Sequence, residues 1–341
     1  MGDDGALSVQ VTKTAKHNIY QRALMEARVV PHHPSISLYS GSQGSGKSTL
    51  VLHMLKTPEL FCGYFDVIFL LIGSDDDMYD SIIAPEGART DKKRIIAHKH
   101  VVKYPEPEDI QKIIDTQKMA IEAASTIDKS PKILVIMDDL ANNGRLLRSK
   151  PFLQLFVAGR HLNSSTWFLS QYLNLVPKSA RLQANYLFVF KSNRAEMKVL
   201  SDQFCPPDMS KKEFDKMVLN ATRDGTNADG SRKVNFLSIV KGVADNKRFR
   251  QNLDSYIVLP GHERPNEKPI ELDDSSDSDE RHSPRGPSLH DLPDKRSFAN
   301  GETPSAPGGF SPPTAGQTSK KLIMRPQGWT PQRYQLKQQK R

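Results

Sequence analysis

The segment Gly41-Ser42-Gln43-Gly44-Ser45-Gly46-Lys47-Ser48-Thr49 constrains this chain more than any other stretch. It fits the phosphate-loop pattern Gly-x-x-x-x-Gly-Lys-Ser/Thr, with an apolar strand at Ser35–Ser40 before it and a helix at Lys47–Leu55 after it. Strand, glycine-rich turn and helix in that order predict an α/β sheet with the loop at its C-terminal edge. Glycines 41, 44 and 46 let the backbone wrap closely, so that its N–H groups converge on phosphate oxygens. The start of the following helix adds its positive end. Lys47 is expected to reach the β- and γ-phosphates of a nucleotide, Ser48 to offer its hydroxyl to Mg²⁺, and Thr49 to bond the α-phosphate. ATP and Mg²⁺ are therefore the expected ligands, with residues 41 to 49 as their cradle.

A second element is Lys132-Ile-Leu-Val-Ile-Met-Asp138-Asp139, an apolar strand that ends in two acids. Such a strand delivers its carboxylates to the same sheet edge as the phosphate loop. Asp138 is expected to hold the Mg²⁺ coordination sphere through water, and Asp139 to orient or deprotonate an attacking water. A third element is Thr166-Trp-Phe-Leu-Ser170-Gln171, where a polar amide follows an apolar strand. Gln171 can hydrogen-bond the γ-phosphate or the lytic water from there. Taken together, the three elements describe an NTP-hydrolysing site and not a passive phosphate pocket.

The rest of the chain reads as strands alternating with helices. Strands are predicted at Phe65–Gly73, His100–Tyr104, Lys132–Asp138, Thr166–Ser170, Tyr186–Lys191, Lys233–Lys241 and Asp254–Leu259. Helices are predicted at Thr12–Arg28, Glu108–Ala124 and Pro151–His161, with others starting at Arg194 and Met209. This alternation predicts a P-loop fold with a mainly parallel sheet covered on both faces. Residues 1–34 form an N-terminal helical segment, and 35–259 form the ATPase domain. Residues 260–341 read as a disordered tail, because Pro, Gly and the acidic run from Glu271 to Glu280 leave little to bury. Of the 48 Lys and Arg and 39 Asp and Glu, 13 and 11 follow Gly261, which leaves +7 on the first 260 residues. A basic core suits a polyanion and equally an ordinary basic protein. The tail is acidic first, then basic: seven Lys and Arg and no acid lie between Lys320 and Arg341, interleaved with Trp329 and Tyr334. Such a peptide binds nucleic acid through phosphates and stacking, docks on a partner, or stays solvated. Two cysteines, Cys62 and Cys205, cannot build a disulfide framework, and no apolar run approaches membrane-spanning length. A reducing, soluble compartment is expected.

With the phosphate loop at 41–48 and Asp138-Asp139 come Ala158-Gly-Arg160-His161, Gln171, and Pro177-Lys-Ser-Ala-Arg181-Leu-Gln-Ala-Asn185-Tyr186. In this order they resemble the poxvirus-type genome-packaging ATPases. That group is a viral branch of the FtsK–HerA superfamily, with relatives in giant DNA viruses, virophages and Polinton-type elements. The resemblance covers Ser35 to Leu259 and implies an additional-strand, RecA-like core. It also implies a homo-oligomeric ring that draws double-stranded DNA into a preformed capsid at sites of virion assembly in the host cytoplasm or nucleus. A capsid or portal-vertex protein would be a partner, and no membrane. In such rings Gln171 would sense the γ-phosphate, and an arginine would reach into the neighbour's site. Arg160 is the first choice for that arginine and Arg181 the second.

One departure stands out. Many members of the wider superfamily carry Asp-Glu where this chain has Asp138-Asp139, so the shorter acid must sit closer or act through a water. Other readings remain: a helicase or DNA pump of the same superfamily, a nucleotide kinase, or a DNA-binding or capsid protein with ATP as a structural ligand. A kinase needs an arginine-bearing lid, for which only Arg145 and Arg148 offer themselves.

Overall fold

The apolar runs ahead of residue 190 become parallel strands in a computed structural model of the chain. The structure describes residues 19–257 except 76, 92, 228, 229, 231 and 254. The tail and the expected helical residues 12–18 lie outside the described residues. The strands are β1 (Ile36–Ser40), β2 (Val67–Ile72), β3 (Val101–Lys103), β4 (Ile133–Asp138), β5 (Ser164–Ser170) and β6 (Tyr186–Val189). A small hairpin, β7 (Gly225–Thr226) and β8 (Arg232–Lys233), stands apart from the main sheet. Then come β9 (Leu237–Val240), β10 (Phe249–Gln251) and β11 (Ser255–Tyr256).

The main sheet has the order β11-β10-β9-β6-β1-β5-β4-β2-β3. Neighbours from β6 to β3 are parallel, and β9, β10 and β11 extend the sheet antiparallel. Strand β5 lies between β1 and β4, pairing Ile36 with Thr166 on one side and Ile133 with Ser164 on the other. The phosphate-loop strand and the acidic strand are thus one strand apart, which is the additional-strand arrangement.

Both faces are covered. Helices α1 (Ile19–Glu26) and α2 (Lys47–Lys56) lie on one face; α3 (Pro107–Ala124), α4 (Gly144–Leu147), α5 (Lys150–Ala158), α6 (Lys178–Gln183), α7 (Arg194–Phe204) and α8 (Lys211–Ala221) bring their apolar residues to the other. A short α9 (Asp245–Arg248) leads into β10. The strand period of two splits each apolar run between the faces. Phe69, Leu71, Val135, Met137 and Phe168 meet α3, α5 and α7, while Leu70, Ile72, Leu134, Ile136 and Trp167 meet α2. Burial of each large side chain is worth about 1.5–3 kcal/mol. On the α2 face the aromatics interlock, with Phe61 edge-on to Trp167 at 5.0 Å and Tyr39 stacked on Phe188 at 4.7 Å.

Several boundaries differ from the sequence reading. The helix expected at Pro151–His161 ends at Ala158, and Gly159–Leu162 tightens into a 3-10 turn before β5. The strand expected at Lys233–Lys241 divides into β8 and β9. Strand β10 was not foreseen, because Arg250 sits in its middle. The fold hides that charge: Arg250 is buried, stacks on Tyr256 at 4.1 Å and donates to the Ala27 carbonyl at 3.3 Å.

Candidate active site

The phosphate loop leaves β1 at Ser40 and is fixed by backbone bonds on both flanks. Gly41 N–H donates to the Ser170 carbonyl and Ser42 N–H to the Lys191 carbonyl, both at 3.3 Å. A Cβ on Gly41 would lie 2.6 Å from Phe190 Cβ, so only glycine fits there. Gly46 precedes α2 with φ +98°, a left-handed backbone that glycine adopts without strain. Helix α2 then begins at Lys47, and its first N–H groups lack intrahelical acceptors, which leaves them for an anion. Ser42, Gln43, Gly44 and Thr49 are exposed, and Ser45 is buried.

Lys47 is 7% exposed, and its Nζ donates to the carbonyls of Gly41 at 2.7 Å and Ser42 at 3.0 Å. Burial holds its ammonium below the usual lysine range, against the pull of Asp138 and Asp139. Asp138, the last residue of β4, accepts from Ser48 Oγ at 2.8 Å and from Tyr79 Oη at 2.7 Å, both on Oδ2. Burial pushes the Asp138 carboxyl up, and the two hydroxyl donors and Lys47 oppose it. A hydroxyl and a carboxylate within 2.8 Å form an all-oxygen donor pair, which suits Mg²⁺ better than any softer metal.

Asp139 follows with φ +55°, so the chain turns as it leaves β4. The turn sends its side chain toward β5, where Gln171 Nε2 donates to Asp139 Oδ1 at 3.1 Å. Beside it, Gly73 at the end of β2 donates its N–H to the Asp138 carbonyl at 3.0 Å. The structure therefore gathers Lys47, Ser48, Asp138, Asp139 and Gln171 at one sheet edge. That set can bind a triphosphate with its metal and hold a water beside the terminal phosphate.

Arg160 lies elsewhere. It is exposed on the 3-10 turn before β5, at the opposite edge, one strand length or about 20 Å from its own phosphate loop. Its charge acts on His32, a residue just ahead of β1. Arg181 is a correction. It is 7% exposed and donates to the Leu173 carbonyl at 2.8 Å, so it is engaged inside its own chain and cannot extend into a neighbour. Arg145 is bound to Glu106 at 3.2 Å and Glu108 at 3.4 Å, and Arg148 folds over Gly144. Neither forms the lid that a kinase needs. Two residues at the site were missed by sequence reasoning. Tyr79 sits in no motif and meets Asp138 only through the fold. Glu196, in the first turn of the helix that Asn193 caps, carries no motif and is buried under the Gln171 loop. Among the described residues no helix is long and apolar enough to cross a membrane.

The family described as Poxvirus A32 protein matches residues 32–259. No curated protein sequence matches the chain. Among solved structures, the genome packaging NTPase B204 from Sulfolobus turreted icosahedral virus 2, in complex with ATP-γS, is 15% identical. That match covers 64% of this chain and 96% of that one, with a TM-score of 0.44. B204, the DNA-packaging ATPase from Sulfolobus turreted icosahedral virus, is 16% identical over 65% of this chain and 98% of its own, with a TM-score of 0.41. EssC (ATPases 2 and 3) from Geobacillus thermodenitrificans is 15% identical over 52% of this chain and 35% of its own, with a TM-score of 0.37.

Proposed function

The chain belongs to the poxvirus A32 protein family, and from that premise we propose that this P-loop ATPase is the motor that moves double-stranded DNA into a preformed viral capsid. The observation that carries the reading is the bond from Gln171 to Asp139, which joins the end of β5 to the acidic pair across neighbouring strands. A hydrolase that must convert phosphate loss into movement needs such a link between its water-handling acid and a mobile sensor.

In this reading Lys47 neutralises the β- and γ-phosphates, and residues 41 to 49 cradle the triphosphate. Ser48 and Asp138, whose oxygens lie 2.8 Å apart, would hold Mg²⁺, which would offset charge on the phosphate oxygens. Asp139 orients or deprotonates the water. The water oxygen attacks the γ-phosphorus, the bond to the bridging oxygen of ADP breaks, and the water's proton passes toward the Asp139 carboxylate. Gln171, bonded to that carboxylate, senses the γ-phosphate. Arg160 is too far from its own site to serve it, which supports a role in a neighbour's site within a homo-oligomeric ring. Double-stranded DNA and a capsid or portal-vertex protein complete the assembly, in the cytoplasm or nucleus where virions form.

The test is ATPase activity with and without duplex DNA, together with a mass measurement under ATP. DNA-stimulated hydrolysis by an oligomer is expected. Strand separation on naked duplex would instead favour the helicase reading. Lys47→Ala should lower turnover at least about 10²–10³-fold with the circular dichroism spectrum unchanged; surviving hydrolysis would sink the motor reading.

A further inference from the structure

Glu196 and Arg181 are buried opposite charges that hold the two sides of one backbone residue, Leu173. The Leu173 N–H donates to Glu196 Oε2 at 2.6 Å, and Arg181 Nη1 donates to the Leu173 carbonyl at 2.8 Å. Glu196 is 1% exposed and Arg181 7%. A carboxylate on the Leu173 N–H and a guanidinium on its C=O make charge-assisted bonds to the two peptide groups that flank the residue, so its backbone is held in one orientation. Leu173 lies two residues beyond Gln171, in the loop that leaves β5. The same loop is tightened by Ser170, whose Oγ donates to the Tyr172 carbonyl at 2.8 Å and accepts from the Tyr172 N–H at 3.2 Å.

The two charges come from different elements. Arg181 is in α6, and Glu196 is in the first turn of α7, which follows β6, the neighbour of the phosphate-loop strand. Ser40, the last residue of β1, lies beside the same carboxylate, and the Asn174 N–H adds to its stabilisation. Burial pushes the Glu196 carboxyl up and the Arg181 guanidinium down, each eased by the other. Apolar residues of similar volume would pack this place at lower desolvation cost. The charges are therefore best explained by geometry that they impose on the loop.

We propose that Glu196 and Arg181 are positioning residues that clamp the backbone of Leu173 from both sides and thereby set the placement of Gln171 against Asp139. The clamp ties the sensor loop to α6 and α7, and α7 follows β6, which pairs with the phosphate-loop strand β1. The inference rests on the reading of Gln171 as the sensor.

The experiment is a double-mutant cycle on the full chain: wild type, Glu196→Gln, Gln171→Ala and the double variant, each with steady-state ATP turnover and thermal melting. Glu196→Gln keeps an acceptor for the Leu173 N–H but removes the charge. It should lower kcat about tenfold with KM for ATP within about twofold and little change in Tm. In the Gln171→Ala background the same change should cost nothing further, because its effect travels through Gln171. Arg181→Lys, which keeps the charge and loses the planar fork, should show the same pattern more weakly. Unchanged kcat in Glu196→Gln overturns the clamp. An equal loss in both backgrounds also overturns it, since the two residues would then act independently. If Gln171→Ala alone leaves kcat intact, the sensor reading falls and takes the clamp with it; a slow Gln171→Ala with multiplicative losses sinks the clamp alone.

Discussion

The two edges of the parallel sheet use similar polar side chains to opposite ends. At the N-terminal edge the bonds are closed among themselves. Asn163 donates to the carbonyls of Ser130 and Pro131 at 3.0 and 3.3 Å and meets His33 Nε2 through Oδ1 at 2.8 Å. His33 Nδ1 contacts Ser165 Oγ, which in turn accepts the Ser35 N–H. Asn185 caps the start of β1 by accepting the Ile36 N–H. At the C-terminal edge the side chains bond chiefly to one another. Lys47 rests on loop carbonyls, Asp138 takes both hydroxyl donors on one oxygen, and Asp139 takes Gln171. The two edges draw on similar polar side chains and differ in what these bond to: chiefly backbone groups at the first edge, chiefly other side chains at the second.

Arg160 offers the sharpest way to break this contrast, because it stands at the structural edge and is assigned a chemical task. Arg160→Ala should lower turnover of the assembled protein about 10³–10⁵-fold with no loss of Tm. Mixing it with Lys47→Ala subunits should restore part of the activity, since each variant supplies what the other lacks. If the mixture stays inactive, Arg160 does not act across subunits. Asn163→Ala tests the structural edge itself. Removing its carbonyl and His33 bonds should cost about 3 kcal/mol, read as a fall in Tm of roughly 6–12 °C at about 2–4 °C per kcal/mol. ATP turnover per folded molecule should hold; a kinetic defect without a stability loss would reverse the assignment of the two edges. The smallest expected effect is on acid stability. His32 and His100 are both held at about 4, by burial first, with Arg28 and Arg160 adding to His32 and Lys99 to His100. The unfolded chain takes up these protons near 6.5 and the folded chain near 4, so stability should fall as pH drops through that window. After solvent screening the two together are worth about 1–2 kcal/mol. Melting at pH 7 and pH 5 checks this, and a flat profile would discard it.

The central sheet was legible because parallel strands buried on both faces are nearly continuous apolar runs: Val67–Ile72, Ile133–Asp138 and the core of β5 announce themselves. The phosphate loop was legible because its contacts are local, set by glycines and a lysine within a few residues. The partners of the acidic pair were harder. Gln171 was reached by its place after a strand and by the family resemblance, and Tyr79 was not reached at all. It lies 59 residues from Asp138 in a loop without periodicity, and only the neighbouring of β2 and β4 joins them. Glu196 was hidden for a different reason. A carboxylate after an Asn cap suits any exposed helix start, and its burial depends on a loop 23 residues upstream. The antiparallel end of the sheet was read poorly because short strands there draw their stability from distant partners, as Arg250 does from Ala27 and Tyr256.

Gly73 gives the site a mechanical stop. A Cβ at that position would lie 2.1 Å from the Asp139 carbonyl oxygen, inside any permitted contact. Any larger residue would act as a wedge, turning the Asp139 peptide and swinging its carboxylate away from Gln171. The placement of the acidic pair therefore depends on a residue that carries no side chain at all.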